Sequence, residues 1–274
     1  MAQVINTNIF ALNAQRNLNK TTSALQTSME RLSSGLRINR AKDDAAGLAI
    51  SDKMTAQIRG LNQAIRNVND GVGYVQTADG ALEEVTNSLQ RMRELAVQAS
   101  TGTVSSTAGA GGGTSDKGKL NAEFQALALS IGDILADTKF NGVTVFGASV
   151  DIQSGTESGD SITVSVGSLS LSGLAADISS ASGAQGALAT LDGDLNVVAT
   201  ARADAGASQS RLESTARNLA NVVENVSAAR SQILDADFAM ETANLTRAQI
   251  LQQSGAAILA QANVIPQNVL SLLR

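Results

Sequence analysis

The sequence predicts a mainly α-helical protein, a long antiparallel coiled-coil-like helical rod with a small β region in the middle of the chain. The first observation behind this fold class is a pair of long seven-residue repeats of apolar side chains, one in each half of the chain. The second is composition, because aromatic residues make up only 2% of the 274 residues and there is a single Pro. Small aliphatic side chains and few helix breakers are typical of narrow helix-on-helix packing.

Charge and residue types exclude several classes of function. The net charge of −5 and a pI near 4.8 argue against nucleic acid as a partner, because its binders carry basic patches. The chain has no Cys and no His, so it lacks thiolate chemistry and the commonest general base and metal ligand. We therefore expect no cofactor, no metal and no enzymatic activity.

The N-terminal segment, residues 1–34, is predicted to be an inner-core helix with an apolar stripe. MAQVINTNIF lacks the basic start and the long apolar run of a cleaved secretory signal. The positions of one seven-residue repeat along this segment are Val4, Ala11, Leu18, Leu25 and Leu32. Such a stripe predicts association with another helix.

Residues 35–53 are predicted to be a connector, because Gly35 and Gly47 enclose a dense run of charges. Asp43 and Asp44 fit a solvated charged turn better than an acid–base pair, since no second catalytic group lies near them in the sequence.

Residues 54–139 are predicted to form the N-terminal helices of the rod. Their main repeat consists of Met54, Leu61, Val68, Val75, Leu82, Leu89 and Ala96. A Gly/Ser/Thr-rich stretch at 101–118 predicts a flexible loop, and a helical pattern resumes over 119–137. A G-x-x-x-x-G-K match ends at Lys119. It is followed by Leu120 where a phosphate-binding loop needs Ser or Thr, so we do not expect nucleotide binding.

Residues 140–190 are predicted to be a small β region with linkers on the outer surface. Asn141-Gly142 precedes alternating apolar residues, which is a hairpin signal, and Ile162, Val164 and Val166 alternate with Ser and Thr. Residues 192–196 resemble the start of a calcium loop, but Gly and Glu are missing from the positions that the loop requires.

Residues 191–235 are predicted to be the C-terminal helix of the rod. Its repeat consists of Leu191, Val198, Ala205, Leu212, Leu219, Val226 and Ile233. Because this repeat matches the first one in length, we expect the two segments to pair antiparallel, with both chain termini at one end of the rod.

The last segment, residues 236–274, is predicted to be a second inner-core helix, and residues 248–273 carry no charged side chain. Its stripe consists of Leu251, Ile258, Ile265 and Leu272, joined by Gly255, Ala262 and Val269. Gln and Asn cover the opposite face, which makes the segment too polar to cross a bilayer. We expect both terminal helices to be mobile in a single chain and to be completed by other copies of the chain.

RLSSGLRINRAKDDAAGLAI at 31–50 and the segment from 230 to 273 resemble the terminal regions of bacterial flagellins. The resemblance implies a structural subunit that self-assembles into the helical flagellar filament for motility. The terminal helices would form an inner tube, the long helices a shell around it, and the middle of the chain the outer surface.

The resemblance also implies further partners and a location. The chain would leave the cell unfolded through type III export and reside in an extracellular filament. Its partners would be an export chaperone at the C-terminal segment, a filament cap and hook-filament junction proteins. The residues assigned to self-assembly are Val4, Leu18, Leu25, Leu32, Leu251, Ile258, Ile265, Val269 and Leu272.

LQRMRELAVQ, residues 89–98, is similar to the segment through which flagellins are recognised by a host innate immune receptor. On that resemblance, Arg91, Leu95 and Glu123 fall on receptor-contact positions. The alternative is that Leu95 only packs and Arg91 only forms a surface ion pair.

Two other functions stay open from the sequence. One is a hook-filament junction protein, which resembles flagellin at both ends but assembles in a limited ring. The other is a secreted membrane-active protein that uses its amphipathic tail, although such helices usually carry Lys and Arg on the polar face and this tail has none between Arg247 and Arg274.

Overall fold

The computed structural model describes residues 7–106 and 115–272, with side chains described as far as residue 264. This part of the chain holds five α-helices: α1 (Ile9–Ser34), α2 (Ala45–Ser100), α3 (Asp116–Asp137), α4 (Ala181–Leu234) and α5 (Phe238–Leu272). It also holds four short strands: β1 (Lys139–Phe140), β2 (Val143–Thr144), β3 (Ser149–Gln153) and β4 (Ser161–Ser165). The predicted class, mainly α with a small β region, is confirmed.

Helices α2 and α4 begin earlier than the repeats suggested, because polar side chains cap them. The carboxylate of Asp44 accepts the Gly47 N–H at 2.8 Å, so α2 begins inside the stretch predicted to be a connector. The Ser180 hydroxyl accepts the Gly183 N–H at 3.1 Å at the start of α4. Asp43 accepts backbone N–H groups of the preceding turn, so both carboxylates of the Asp pair hold local backbone.

Helix α3 begins within the stretch that the sequence predicts to be a loop. Ser115 accepts the Gly118 N–H at 3.1 Å and caps the helix. The rest of that loop prediction falls partly on residues 107–114, which lie outside the described residues.

The chain divides into two compact units. The terminal unit comprises Met1–Ile58 and Glu224–Arg274, and the central unit comprises Arg59–Val223. Each unit has its own packing.

The central unit is built on antiparallel packing of α2 and α4. Arg202 Nε lies 2.8 Å from an Asp79 oxygen, and Arg93 Nε lies 2.7 Å from an Asp192 oxygen, so residue numbers rise along one helix as they fall along the other. The repeat residues buried in this core are Leu61, Val68, Val75, Leu82, Leu89, Ala96, Leu191, Val198, Ala205, Leu212 and Leu219. The seven-residue repeats therefore mark the core face, as predicted.

The β region consists of two separate antiparallel pairs. Asn141 and Gly142 adopt φ angles of 49° and 84° between β1 and β2, which is the backbone that an Asn-Gly hairpin turn requires. Strands β3 and β4 pair from end to end and bury Ile162 and Val164. Val166, predicted to continue the strand, instead lies just beyond it.

Asp194 fastens the linker after the β region to helix α4. The side chain is 2% exposed, and its two oxygens accept the Ser172 N–H at 3.0 Å and the Gly173 N–H at 2.7 Å. An added Cβ at Gly173 would lie 2.7 Å from the Asp194 carboxylate, so this close approach requires glycine. The segment that resembled a calcium loop is thus mid-helix, and no group of acidic residues suited to a metal occurs within the described part of the chain.

Replacing Asp194 with Asn should destabilise the central unit by about 1–3 kcal/mol, because an amide would turn a donor towards one of two buried N–H groups. Urea unfolding followed by Tyr74 fluorescence measures the change. Asp192→Asn is the matched control, since that side chain is 53% exposed and its ion pair with Arg93 is worth at most about 1 kcal/mol. Equal unfolding midpoints for the two variants would contradict a stabilising contribution from the buried hydrogen bonds of Asp194.

Tyr74 is the single tyrosine and lies in the core of the central unit. Its hydroxyl donates to the Val145 carbonyl at 2.9 Å, and its ring meets Phe140 edge-on with centroids 6.1 Å apart. Burial raises the pKa of the Tyr74 phenol above its ordinary value of 10.0. The fold therefore favours the neutral phenol.

Spectrophotometric titration of the native chain should place tyrosinate formation above pH 10, and titration in urea should return it to about 10. Because the folded-state pKa is raised, stability is unaffected below the unfolded pKa and falls as pH rises through the folded pKa. Tyr74→Phe should remove that alkaline loss. If tyrosinate formed over the same pH range in the folded and the unfolded chain, the burial of the Tyr74 hydroxyl would be contradicted.

Candidate assembly surface

The terminal unit is organised around antiparallel packing of α1 and α5. Asn8 Nδ2 donates to the Ala262 carbonyl at 2.8 Å at one end of the helix pair. At the other end, Arg31 Nη1 lies 3.7 Å from Glu241 Oε2. The two helices therefore lie side by side along most of their described lengths.

Turns at the ends of α1 and α4 hold this pair in place. Helix α1 begins at the Asn8 cap and ends at Gly35, whose φ of 73° lies in the left-handed region. The Ala236 N–H donates to the Gly35 carbonyl at 2.9 Å, and the Arg37 N–H donates to the Leu234 carbonyl at 2.7 Å. These two hydrogen bonds tie the start of the connector to the turn between α4 and α5.

Small side chains take most of the innermost positions on the contact face of α5, and Leu245 and Leu259 are half-buried beside them. Its innermost positions, spaced seven apart, are Glu241, Ala248, Gly255 and Ala262. An added Cβ at Gly255 would lie 3.4 Å from a Leu18 methyl group, so the helices approach closely there. On α1, Ala14 and Ser28 are buried, and Leu18, Leu25 and Leu32 are half-buried. The predicted stripe of α1 does face α5, but the pair covers it incompletely.

The large side chains of the predicted α5 stripe lie at the edge of the contact with α1 and stay largely exposed. Leu251 is 49% exposed and Ile258 is 61% exposed. The small members of the stripe therefore lie deepest in the contact with α1, and the large members lie beside them at its edge. Val4 lies outside the described residues. Ile265, Val269 and Leu272 lie where only the backbone is described.

Large apolar side chains are exposed mainly on the terminal unit. Among the residues whose side chains are described, eleven such residues lie there and four lie on the larger central unit. We name the first set the assembly surface: Ile9, Phe10, Leu12, Met29, Ile50, Phe238, Met240, Ile250, Leu251, Ile258 and Val264. An exposed apolar set of this kind marks a contact surface rather than a solvated one.

Much of the assembly surface was missed by sequence reasoning. Phe10, Met240 and Ile250 lie between the repeat positions, so a search for seven-residue spacing passes over them. The seven-residue spacing of the small residues Ala248, Gly255 and Ala262 could have identified the inner face of α5. The outer face would then have followed by elimination.

The remaining face of α5 is polar but uncharged. Gln249, Gln253, Gln261 and Asn263 are exposed there. Across the part of the chain that the structure describes, no helix combines the length and apolar character needed to span a membrane.

The predicted receptor-contact residues lie together in the central unit but differ in accessibility. Arg91 on α2 donates from Nη2 to Glu123 on α3 at 2.8 Å and from Nη1 to Glu94 at 3.0 Å. The hydrogen bond to Glu123, followed by that to Glu94, raises the pKa of the Arg91 guanidinium. Both Arg91 and Glu123 are about half exposed, whereas Leu95 is 1% exposed. Leu95 packs in the core, so its side chain does not reach the surface.

Comparison with known proteins identifies two matching family regions. Residues 5–151 match the bacterial flagellin N-terminal helical region, and residues 188–273 match the bacterial flagellin C-terminal helical region. Together these regions span most of the chain.

Three individual proteins resemble the chain. A flagellin of Halalkalibacterium halodurans is 48% identical over 99% of this chain and 100% of its own length. The flagellar filament 33 kDa core protein of Treponema phagedenis is 39% identical, again over 99% of this chain and all of its own. A crystal structure of Bacillus cereus flagellin is similar at 28% identity with a TM-score of 0.49, covering 56% of this chain and 88% of that chain.

Proposed function

Since this chain belongs to the bacterial flagellin family and is a structural subunit of the flagellar filament, we propose that copies join through the assembly surface of the terminal unit. The observation that carries this proposal is the concentration of exposed large apolar side chains on α1 and α5. Covering each of them would stabilise a polymer by about 1.5–3 kcal/mol. We assign Leu251 and Ile258 and the half-buried Leu18, Leu25 and Leu32 to the contacts between copies. The same assignment is proposed for Val4, Ile265, Val269 and Leu272, whose side chains lie outside the described part of the chain.

In the filament, α1 and α5 form the inner tube, the long helices surround it and the β region lies outside. The uncharged face of α5 suits the inside of such a tube. Its Gln and Asn side chains hydrate the inner wall, and they exert no ionic attraction on a chain that is exported through the tube. Full-length similarity to a filament core protein favours this function over a junction protein or a membrane-active protein.

Export and accessory partners belong to the same proposal. The chain leaves the cell through type III export and becomes part of an extracellular appendage. The apolar side chains on α5 offer an export chaperone a surface to cover before assembly. A filament cap and hook-filament junction proteins meet the chain at the two ends of the polymer.

Replacing Leu251 and Ile258 together with Gln should prevent polymerisation while leaving the single chain folded, because both side chains are exposed in it. Losing two buried apolar contacts per copy should raise the critical concentration on the order of a hundredfold or more. Sedimentation and electron microscopy of purified protein measure the change.

The matched control exchanges the same two residues for apolar ones, Leu251→Ile with Ile258→Leu, and should polymerise as the parent does. Long, open-ended filaments formed by the parent protein would identify it as a filament subunit rather than a ring-forming junction protein. If the Gln variant polymerised at the parental critical concentration, the assembly surface would be wrongly assigned.

We also propose that a host innate immune receptor recognises the α2–α3 face around Arg91 and Glu123. Support comes from the exposure of both side chains and from the ion pair that holds Arg91 Nη2 2.8 Å from Glu123. Leu95 supports the helix from inside the core, because its 1% exposure prevents direct contact while the core is closed. Of the two roles that the sequence left open for Leu95, this burial favours packing.

Arg91→Ala should lower receptor activation on the order of tenfold, as expected for loss of one exposed charged contact. The dose response of reporter cells carrying the receptor measures it. Arg217→Ala is the control, since that side chain is 70% exposed on α4 and its ion pair with Glu213 is long at 3.9 Å. Equal dose responses for both variants, with helix content unchanged, would contradict the proposal.

A further inference from the structure

Sulfur in this chain is confined to methionine, because there are five Met and no Cys. Met29 and Met240 are 58% and 65% exposed, whereas Met92 is fully buried and Met54 is half-buried. Met1 lies outside the described residues. An oxidant that reaches the described part of a single chain therefore meets the thioethers of Met29 and Met240 first.

Both exposed methionines lie at the same level of the α1–α5 pair. Arg31, two residues after Met29, faces Glu241, which directly follows Met240, with 3.7 Å between Nη1 and Oε2. Phe238, 56% exposed, borders this level and approaches Gly35. Both side chains thus belong to the assembly surface and lie close to the turns that tie α1 to α5.

We propose that Met29 and Met240 are modification sites at which hydrogen peroxide stops an unassembled chain from polymerising. The inference rests on the proposed function, because it requires that the assembly surface becomes buried between copies. The sulfur lone pair attacks one peroxide oxygen, an S–O bond forms as the O–O bond breaks, and water leaves after proton transfer. Sulfur is oxidised by two electrons to the sulfoxide, and the peroxide is reduced.

Oxidation changes what these side chains contribute to a contact between copies. A thioether is apolar and adapts its shape to a neighbouring surface, whereas a sulfoxide carries a strongly polar oxygen that must be desolvated when it is buried. Assembly buries the same sulfurs, so a chain already in a filament is protected. Methionine sulfoxide reductases with a thiol reductant return the sulfoxide to the thioether, which makes the modification reversible.

The test compares purified full-length monomers before and after limited treatment with hydrogen peroxide. Peptide mass spectrometry measures sulfoxide at each methionine, and light scattering measures the elongation rate on filament seeds. Treated parent protein should carry sulfoxide mainly at Met29 and Met240 and elongate more slowly on the order of tenfold. Assembled filaments given the same treatment should stay unmodified at these two residues.

Two variants locate the effect. Met29→Leu with Met240→Leu keeps both positions apolar and should elongate normally before and after peroxide. Met54→Leu is the matched control, and it should lose elongation after peroxide as the parent does.

The outcomes separate this inference from the proposed function. If untreated parent protein failed to polymerise, the proposed role of the assembly surface would be contradicted. Parent protein fully oxidised at Met29 and Met240 that elongates at the untreated rate would overturn the modification sites. So would an equal loss of elongation in the Leu double variant, or equal oxidation of these two methionines in filaments and monomers.

Discussion

The approach of α1 and α5 through small side chains is the constraint on which the terminal unit depends. Ala14, Ala248 and Ala262 are buried between the helices, and Gly255 admits a Leu18 methyl group. Small residues allow close contact, but each buries little apolar area, while Leu251 and Ile258 stay largely exposed at the edge of the contact. The pair therefore leaves apolar surface that a second copy is suited to cover, and this links the packing of one chain to its role in a polymer.

The central unit buries its apolar core within one chain. Leu82, Leu89 and Leu212 are completely buried between α2 and α4, and Phe124 and Ile131 of α3 close the same core. Asp194 and Tyr74 add buried hydrogen bonds that hold the linker and the β region against the helices. The two units thus differ, since the central unit completes its own core and the terminal unit carries the surface through which we propose that copies assemble.

Seven-residue spacing predicted the long helices and the buried face of the central unit because one large apolar residue per two turns is enough to mark a seam. The same spacing predicted the starts of α2 and α4 less well, because Asp44 and Ser180 determine them by capping. It also grouped Gly255 with Leu251 on one stripe, and within that stripe Gly255 approaches α1 closely while Leu251 stays half exposed at the edge of the contact. A wide helical stripe can serve two neighbours, and residue type rather than spacing decides which side approaches closely.

Hydrogen–deuterium exchange on monomer and filament tests most directly the claim that other copies complete the terminal helices. Exchange measured by peptide mass spectrometry should slow on polymerisation across residues 9–34 and 238–272, where apolar side chains become covered. Peptides from α3, whose core contacts lie within one chain, provide the internal reference and should change little. Terminal helices that are already as protected in dilute monomer as in the filament would contradict this account.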